Sequence, residues 1–248
     1  MPTLWSHDAR LAREAPCIVG VDEAGRGALA GPVVAGAVAV PGRFYRKRAH
    51  RAACKGVTDS KQLAAEKREA VFAQLERWAE AGLLTFAWAA ADVREIEERN
   101  ILGATRLAMA RALEAVRDRS VQALAFVRNA PEPLFDGEPS GETSAPVVLV
   151  DGGPLRPFPY RHRALVKGDS RSVAIALASI VAKVSRDRMM LALDASLPGY
   201  GFKAHKGYGT PEHRAALNER GPCAEHRRLF LRSWSRSSEG DDQAELVF

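Results

Sequence analysis

The chain has 248 residues, of which 46% are hydrophobic and 27% are charged, so it can bury a core and is expected to form one large domain, or one domain with a small appendage. Its net charge of +6 suits an anionic partner, although many proteins without one are mildly basic. Three widely spaced cysteines argue against a disulfide framework or a zinc site, and no apolar run suits a bilayer, so we expect a cytoplasmic protein without membrane contact.

The most informative stretch is an apolar strand, beginning at Cys17, that ends in two acids and a glycine turn. Its last residues are Asp22-Glu23-Ala24-Gly25-Arg26-Gly27. Two adjacent carboxylates can converge on one ligand only where a strand ends or bends, and glycine amides beside an arginine can meet a phosphate. One interpretation is a cation held between acids and phosphate; a strand-end salt bridge to Arg26 is equally compatible. A dinucleotide fold is set aside because the third glycine, Gly31, comes one residue late.

Two more apolar strands are predicted, at 32–40 and 83–91. The first of them follows a short connection and is expected to be antiparallel to the opening strand. Between them, the basic loop 43–55 is either a phosphate-contacting rim or merely solvated. A helix is predicted over 63–81, with Asp59 as its N-terminal cap. Its buried residues are expected to be Val71, Leu75 and Trp78.

The middle of the chain is predicted to be helical and then irregular. The acids between 92 and 99 are interpreted as a solvated helix turn rather than a metal cluster. Residues 100–127 predict one long amphipathic helix or two in sequence. Residues 129–146, rich in Pro, Gly, Ser and Glu, are interpreted as a mobile insertion within the domain.

Two further strands end in acids as the first one does. Residues 147–150 lead into Asp151, and residues 164–166 lead into a turn that contains Asp169. If these strands run parallel to the first, their acids meet at one edge of an α/β sheet. A helix with small side chains is predicted over 170–190, followed by a glycine-rich segment and short helices.

Several motifs, in order and at compatible spacing, resemble those of bacterial ribonuclease HII from about Ile18 to Phe230. Beyond the acid pair and the glycine turn, they are Thr58-Asp59-Ser60-Lys61, Asn100-Ile101-Leu102, Asp151-Gly152, Lys167-Gly168-Asp169-Ser170, Ala178-Ser179-Ile180-Val181-Ala182-Lys183 and His205-Lys206-Gly207-Tyr208. The resemblance implies an α/β, RNase H-like fold, with a five-stranded mixed sheet flanked by helices and a small helical C-terminal extension. The expected division is a leader at 1–16, a catalytic domain at 17–195 with an insertion loop at 129–146, the extension at 196–232 and a flexible acidic tail at 233–248.

The resemblance also implies an endonuclease that depends on Mg²⁺ or Mn²⁺ and leaves 5′-phosphomonoester products. It would hydrolyse the RNA strand of RNA/DNA hybrids and cut on the 5′ side of single ribonucleotides embedded in duplex DNA. The resemblance implies that four carboxylates of this chain are both the catalytic and the metal-binding residues: Asp22, Glu23, Asp151 and Asp169. Hard cations take oxygen ligands, and two of them about 4 Å apart can activate water and neutralise the leaving oxygen.

The residues expected to contact nucleic acid are the glycine turn, one tyrosine, and several basic or hydroxyl side chains. They are Gly25, Arg26, Gly27, Ser60, Lys61, Lys167, Lys183, Arg186 and Tyr208. Within the resemblance, Arg26 and its glycines match the loop that touches the 2′-hydroxyl and its phosphates. Tyr208 matches the tyrosine that packs on the sugar at the RNA-to-DNA junction. The others are equally compatible with surface charges or helix-end contacts.

The chain ends in Gln243-Ala244-Glu245-Leu246-Val247-Phe248, which resembles the clamp-binding peptide of bacterial replication and repair enzymes. In that mode Gln243, Leu246 and Phe248 would enter a pocket of the sliding clamp; a tail without a partner is the open alternative. A monomer is expected, because the sequence predicts no exposed apolar helix face that a second subunit would need to cover. The alternatives to this nuclease are a ribonuclease HIII-like hybrid nuclease, a non-catalytic nucleic-acid-binding module and a metal-dependent phosphatase.

Overall fold

The structure, a computed structural model, describes residues 3–57, 60, 63–120 and 145–231. Its helices are α1 (Leu4–Leu11), α2 (Arg48–Ala53), α3 (Ala65–Glu80), α4 (Val93–Arg119), α5 (Val173–Ser196), α6 (Phe202–His205) and α7 (Pro211–Arg220). Its strands are β1 (Cys17–Ala24), β2 (Val33–Pro41), β3 (Thr85–Ala91), β4 (Val147–Asp151) and β5 (Arg163–Leu165), and short 3₁₀ turns include Gly42–Arg46 and Gly168–Ser170. The predicted insertion lies outside the described residues except for 145 and 146, and the predicted tail lies wholly outside them.

The strands form a five-stranded mixed sheet in the order β3-β2-β1-β4-β5. Strand β2 is antiparallel to both β1 and β3, whereas β4 runs parallel to β1 and β5 runs parallel to β4. The predicted five-stranded mixed sheet flanked by helices is confirmed. Because β1, β4 and β5 are parallel, their carboxyl ends lie at one edge of the sheet, where the acids were expected to meet.

Helix α5 packs closely against the middle of the sheet, and two strand glycines make this approach possible. A Cβ atom at Gly20 would lie 2.1 Å from the backbone carbonyl carbon of Ala174. A Cβ atom at Gly36 would lie 2.4 Å from the carbonyl oxygen of Ala178. Helices α1, α3 and α5 share one hydrophobic cluster with this face of the sheet, and α4 covers the opposite face with a second cluster.

Helix α3 begins later than predicted. Its N-cap is Ala64 rather than Asp59, which lies outside the described residues. The helix does not begin near Ser60, because the Ser60 side chain is buried against α5. Its buried residues are Phe72, Leu75 and Trp78. The predicted Val71 is only partly buried, although it packs against the same cluster. The sequence analysis missed Phe72, whose larger ring is buried and packs on Phe86, with 5.6 Å between ring centroids.

The basic stretch 43–55 is not a loop. The 3₁₀ turn and α2 organise it around two buried aromatic side chains, Phe44 and Tyr45. The Phe44 ring stacks on His50, with 4.2 Å between centroids, and meets Trp78 edge-on at 5.2 Å. The prediction of a loop was wrong because burial of these rings outweighs the solvation of the surrounding charges.

Helix α1, in the predicted leader, is anchored by a buried acid. Asp8 is fully buried, and its Oδ2 accepts hydrogen bonds from the hydroxyls of Tyr45 (3.2 Å) and Ser172 (3.0 Å) and from the N–H of Ala174 (2.9 Å). Ser172 is also the N-cap of α5. The leader therefore supports the start of the helix that follows Asp169.

Helix α4 is broken at Asn100, which has a φ of 55°. The Asn100 side-chain oxygen accepts hydrogen bonds from the N–H groups of Leu102 (3.0 Å) and Gly103 (3.1 Å), so it caps the second segment. The break lies at the first residue of the predicted range 100–127, so the described part of that range after Asn100 is one long helix, the first of the two alternatives, and the segment before the break precedes the range. The acids before the break include a capping box formed by Asp92 and Glu95, which confirms their interpretation as a helix turn.

The part of the chain after α5 contains α6, α7 and a helical segment at 228–231. Backbone hydrogen bonds of 2.8 Å join it to the turn after β1: Leu29 N–H to the Gly207 carbonyl, Gly31 N–H to the Glu225 carbonyl, and Arg227 N–H to the Leu29 carbonyl. This extension and the glycine turn are therefore one unit. Among the described residues, no helix has the length and apolar character that crossing a bilayer requires.

Candidate active site

Three acids meet at the edge of the sheet where the parallel strands end. Asp22 lies near the end of β1, Asp151 ends β4, and Asp169 lies in the 3₁₀ turn that follows β5. Ligand oxygens of these three carboxylates lie within 4.8 Å of one another. The structure thus brings together three of the four carboxylates that the sequence predicts.

Asp22 is held in a buried position. The residue is 5% exposed, and its carboxylate accepts hydrogen bonds from the Glu23 N–H, at 2.7 Å, and from the Ser179 hydroxyl. Burial raises the pKa of Asp22 well above its usual value, and the negative charges of Glu23 and Asp151 raise it further. The charged form of Asp22 is therefore disfavoured unless a positive charge joins the cluster.

Ser60 lies behind Asp22 rather than on the surface. It is 2% exposed, and its Oγ lies 2.8 Å from the Oγ of Ser179. The prediction that Ser60 contacts a phosphate was wrong, because its hydroxyl is buried against α5. Sequence reasoning missed Ser179, although this residue belongs to the quoted 178–183 motif.

The other two acids are positioned by the turn around Gly168. Oδ1 of Asp151 accepts a hydrogen bond of 2.6 Å from the Gly168 N–H. A Cβ atom at Gly168 would lie 2.5 Å from Cδ1 of Ile175 and 3.2 Å from that oxygen of Asp151, so a side chain would disturb the site. Asp169 is 8% exposed and accepts a hydrogen bond of 3.3 Å from the Ser170 hydroxyl. Both carboxylates thus have defined positions beside Asp22.

The cluster has the donor set of a hard divalent cation. All of its ligand atoms are carboxylate oxygens, the donors that Mg²⁺ and Mn²⁺ prefer. Like charges this close are unfavourable until a cation joins them. In the part of the chain that the structure describes, no other group of three or more acids, histidines or cysteines has such spacing. The residues present therefore fit a divalent metal ion.

Glu23 lies beside the cluster but is not part of it. Its Oε1 accepts a hydrogen bond of 3.1 Å from Nη1 of Arg26. The negative charge of Glu23 nevertheless raises the pKa of Asp22, so its carboxylate lies near that of Asp22. Three of the four predicted carboxylates therefore form the cluster. The alternative prediction, a salt bridge between Glu23 and Arg26 at the end of the strand, is present beside it.

The glycine turn has one supported side and one open side. Gly25 has a φ of 91°, and a Cβ atom there would lie 1.9 Å from Nε of Arg186. A Cβ atom at Gly27 would meet nothing within 4 Å, and the Arg26 side chain is 51% exposed. The turn is therefore held from behind and accessible from the front.

Arg186 does not face solvent, so the prediction that it contacts a phosphate was wrong. It is fully buried, and its guanidinium donates hydrogen bonds to the backbone carbonyls of Ala30 (3.2 Å), Pro32 (3.0 Å) and Lys206 (2.9 Å). Burial lowers the pKa of Arg186. This side chain braces the chain that follows the glycine turn.

Tyr208 lies beside α5, next to two of the predicted contact residues. Its ring centroid is 5.3 Å from Cζ of Arg186 and 6.0 Å from Nζ of Lys183. Lys183 forms an ion pair of 2.7 Å with Asp187. Lys167 is exposed and has a φ of 54°, a backbone conformation that is strained for a residue other than glycine.

Some predicted residues lie outside the described part of the chain: Lys61, Gln243, Leu246 and Phe248. Their roles stay predictions.

A sequence model of one protein family, described as Ribonuclease HII, matches residues 19–134 and 154–237. The chain is 43% identical over 213 residues to the Ribonuclease HII of Syntrophotalea carbinolica, an alignment that covers 86% of this chain and 84% of the relative. It is 45% identical over 213 residues to the Ribonuclease HII of Geobacillus kaustophilus, covering 86% of this chain and 67% of the relative.

Solved structures share the fold. The RNase HII of Archaeoglobus fulgidus, in a complex with PCNA, has a TM-score of 0.59 at 21% identity and covers 85% of this chain and 93% of that chain. The ribonuclease H2 of Pyrococcus horikoshii has a TM-score of 0.54 at 26% identity, with 86% and 93% covered. Bst-RNase HIII in complex with Mn²⁺ has a TM-score of 0.55 at 21% identity, with 93% and 68% covered. Since the sequence matches extend over most of its length, the chain belongs to the ribonuclease HII family of endonucleases, which hydrolyse RNA in RNA/DNA hybrids.

Proposed function

We propose that this ribonuclease H cuts the RNA strand of RNA/DNA hybrids and also cuts on the 5′ side of single ribonucleotides embedded in duplex DNA. The observation that carries the proposal is the cluster of Asp22, Asp151 and Asp169, whose ligand oxygens lie within 4.8 Å of one another. This cluster is joined through β1 to a glycine turn with an open face and an exposed arginine. Acids that can hold a cation thus adjoin amides and a charge that can meet a phosphate.

Asp22, Asp151 and Asp169 would hold Mg²⁺ or Mn²⁺. When bound, a pair of such cations supplies an activated water and neutralises the charge that develops on the leaving oxygen. Glu23 is the fourth proposed ligand, since it follows Asp22 directly and its charge already acts on that carboxyl. Within the chain itself, the Glu23 N–H and the Ser179 hydroxyl orient Asp22, and the Gly168 N–H orients Asp151.

The glycine turn and Tyr208 would distinguish a ribonucleotide from a deoxyribonucleotide. The 2′-hydroxyl is both a donor and an acceptor, so backbone amides and carbonyls of residues 25–27 can recognise it. Tyr208 would pack on the sugar at the RNA-to-DNA junction. Arg26, which is half exposed, and the exposed Lys167 would contact phosphates. Lys183 would do so in competition with its ion pair to Asp187.

Cleavage of an end-labelled DNA duplex with one internal ribonucleotide tests the proposal. We expect one cut on the 5′ side of the ribonucleotide with Mg²⁺ or Mn²⁺, a product with a 5′-phosphate, and no cut in EDTA. The matched all-DNA duplex is expected to stay intact. Asp151→Asn should retain duplex binding and lose cleavage by about 10³-fold or more. Cutting of the all-DNA duplex, or undiminished cutting in EDTA, would contradict the proposal.

The sliding clamp is a proposed partner of the tail. The solved RNase HII from Archaeoglobus fulgidus is in a complex with PCNA, and residues 243–248 of this chain resemble a clamp-binding peptide. Gln243, Leu246 and Phe248 would supply the contacts. Deletion of 243–248 should abolish capture of the protein on immobilised sliding clamp without changing cleavage of the ribonucleotide duplex. Unchanged capture would remove this partner.

A further inference from the structure

Two fully buried arginines hold the chain that follows β1 from behind. Arg186, on α5, donates to the carbonyls of Ala30 and Pro32. Arg227, on the C-terminal extension, donates from Nε to the carbonyl of Gly31 at 2.9 Å and from Nη1 to the carbonyl of Arg26 at 3.0 Å. The family's sequence motifs quoted above do not include Arg227.

Arg227 donates a hydrogen bond to the carbonyl of the peptide group that joins Arg26 to Gly27. The same peptide carries the N–H of Gly27, which donates no hydrogen bond to any described residue. The space at the Gly27 Cα is open. A cationic donor on the carbonyl of a peptide polarises that peptide and makes its N–H a stronger donor. The Gly27 N–H is therefore prepared to bind an anion.

The two guanidinium groups are not ion-paired, although the charge of Asp187 acts on Arg186. Neither Arg186 nor Arg227 forms an ion pair with any acid in residues 3–57, 60, 63–120 and 145–231. Nη2 of Arg227 is buried and has no hydrogen-bond partner. Burial lowers the pKa of Arg227, and the nearby charge of Arg186 lowers it further. Buried cations without an anion are unfavourable, and an anion on the turn would relieve this.

We infer that Arg227, supported by Arg186, is a positioning residue that acts through the Arg26–Gly27 peptide and makes the Gly27 N–H a binding site for a substrate phosphate. The inference deepens the proposed function and rests on it, because the phosphate is one that flanks the ribonucleotide. A purely structural role would need only hydrogen bonds to carbonyls. A neutral donor could make the same hydrogen bonds without a positive charge. The unpaired positive charges of Arg186 and Arg227 therefore indicate a role in binding an anion rather than a purely structural role.

Equilibrium binding to a fluorescent duplex with one ribonucleotide, measured in EDTA, tests the inference independently of cleavage. Arg227→Gln should weaken binding by about tenfold, whereas Arg227→Lys, which retains the charge, should weaken it by about threefold or less. Arg228→Gln is the matched control, because it removes the same charge from the adjacent, exposed residue. In cleavage, Arg227→Gln should raise KM by a similar factor and leave kcat within about threefold.

A second duplex carries a neutral methylphosphonate in place of each phosphate next to the ribonucleotide in turn. At one position the wild-type protein should lose about tenfold in affinity, and the Arg227→Gln variant should lose almost nothing there. Equal losses for both proteins at every position would overturn the inference, even if the ribonucleotide duplex is cut as proposed. Equal affinity of wild type for the ribonucleotide and all-DNA duplexes would instead contradict the proposed function. If Arg227→Gln does not fold, Arg186→Gln, which removes the supporting charge, carries the comparison: it should lose less than the wild type at that position, and equal losses again overturn the inference.

Discussion

Asp22 illustrates how single residues of this site are held in an unfavourable state. Its carboxyl is buried beside two other acids, and burial together with the charges of Glu23 and Asp151 raises its pKa. An acid with a raised pKa in the folded state binds its proton more tightly there than in the unfolded chain. Without metal, stability should therefore fall as the pH rises from about 4 toward the raised pKa.

Asp22→Asn should stabilise the metal-free protein while it abolishes cleavage. Two unit charges about 5 Å apart repel by about 3 kcal/mol at an effective dielectric constant of about 20, and we expect the substitution to recover about 1–2 kcal/mol. In EDTA at pH 8, Tm should rise by about 4 °C, with a smaller difference at pH 5.

With Mg²⁺ the Tm of the wild type should exceed that of Asp22→Asn, because the ion stabilises the wild type more than the variant. Asp118→Asn, at an exposed position, is the control and should change stability by less than about 0.5 kcal/mol. A Tm of Asp22→Asn in EDTA that equals or falls below that of the wild type would argue against charge repulsion in the cluster.

The residues of the site were predictable from sequence where an apolar strand leads directly into an acid. Asp22 and Asp151 have this context, and Asp169 lies in the turn that follows such a strand. Ser179 and Arg227 were not predictable, because their contacts depend on distant segments: Arg227 reaches Arg26 across 201 positions of sequence. A buried arginine and a surface arginine look the same in a sequence.

At the scale of elements, helix α1 shows that a segment outside the catalytic motifs supports the site. Asp8→Ala should destabilise the protein by about 3 kcal/mol, since the hydroxyls of Tyr45 and Ser172 and the N–H of Ala174 lose their buried acceptor. The free energy of unfolding in urea measures this loss. Asp118→Ala removes an exposed acid and should leave the value within about 0.5 kcal/mol. Equal effects of the two substitutions would show that Asp8 is not an anchor.

The strands and the long helices were predictable as elements, because apolar runs and helical periodicity are local signals. The start of α3 and the identity of α2 were not, since they depend on tertiary burial. Ser60 is drawn under α5, and Phe44 is anchored between His50 and Trp78. The close approach of α5 at Gly20 likewise follows only from the assembled sheet.

At the scale of the molecule, a buried histidine cluster makes the C-terminal extension sensitive to acid. Nε2 of His213 lies 3.1 Å from Nε2 of His226, and the rings of His205 and His213 stack at 4.2 Å. Burial, and then the charge of His213, lower the pKa of His226 to about 4. The unfolded chain therefore takes up a proton first as the pH falls below about 6.5, and stability is lost between that pH and about 4.

The wild-type protein should lose about 2 kcal/mol of stability between pH 7 and pH 5 through this residue. His226→Gln should show a shallower dependence over the same range, because it removes the group whose pKa differs between the folded and unfolded states. Urea unfolding at a series of pH values measures both slopes. If the free energy of unfolding had the same pH dependence in both proteins, the assignment of the acid sensitivity to His226 would be contradicted.

The overall topology was predictable only through the resemblance to a known family. Local patterns predicted strands that end in acids, but the order β3-β2-β1-β4-β5 and the parallel pairing bring those ends together. The divided role of the acids, with three in the cluster and Glu23 paired to Arg26, became visible only in the assembled fold.

The central claim is that Asp22, Asp151 and Asp169 together hold a divalent cation. The most direct test is an anomalous difference map from crystals soaked in Mn²⁺, recorded for the wild type and for Asp151→Asn. We predict a peak about 2 Å from carboxylate oxygens of all three residues in the wild type, and its loss or marked weakening in the variant. A map at saturating Mn²⁺ with no peak between these three carboxylates would contradict the account.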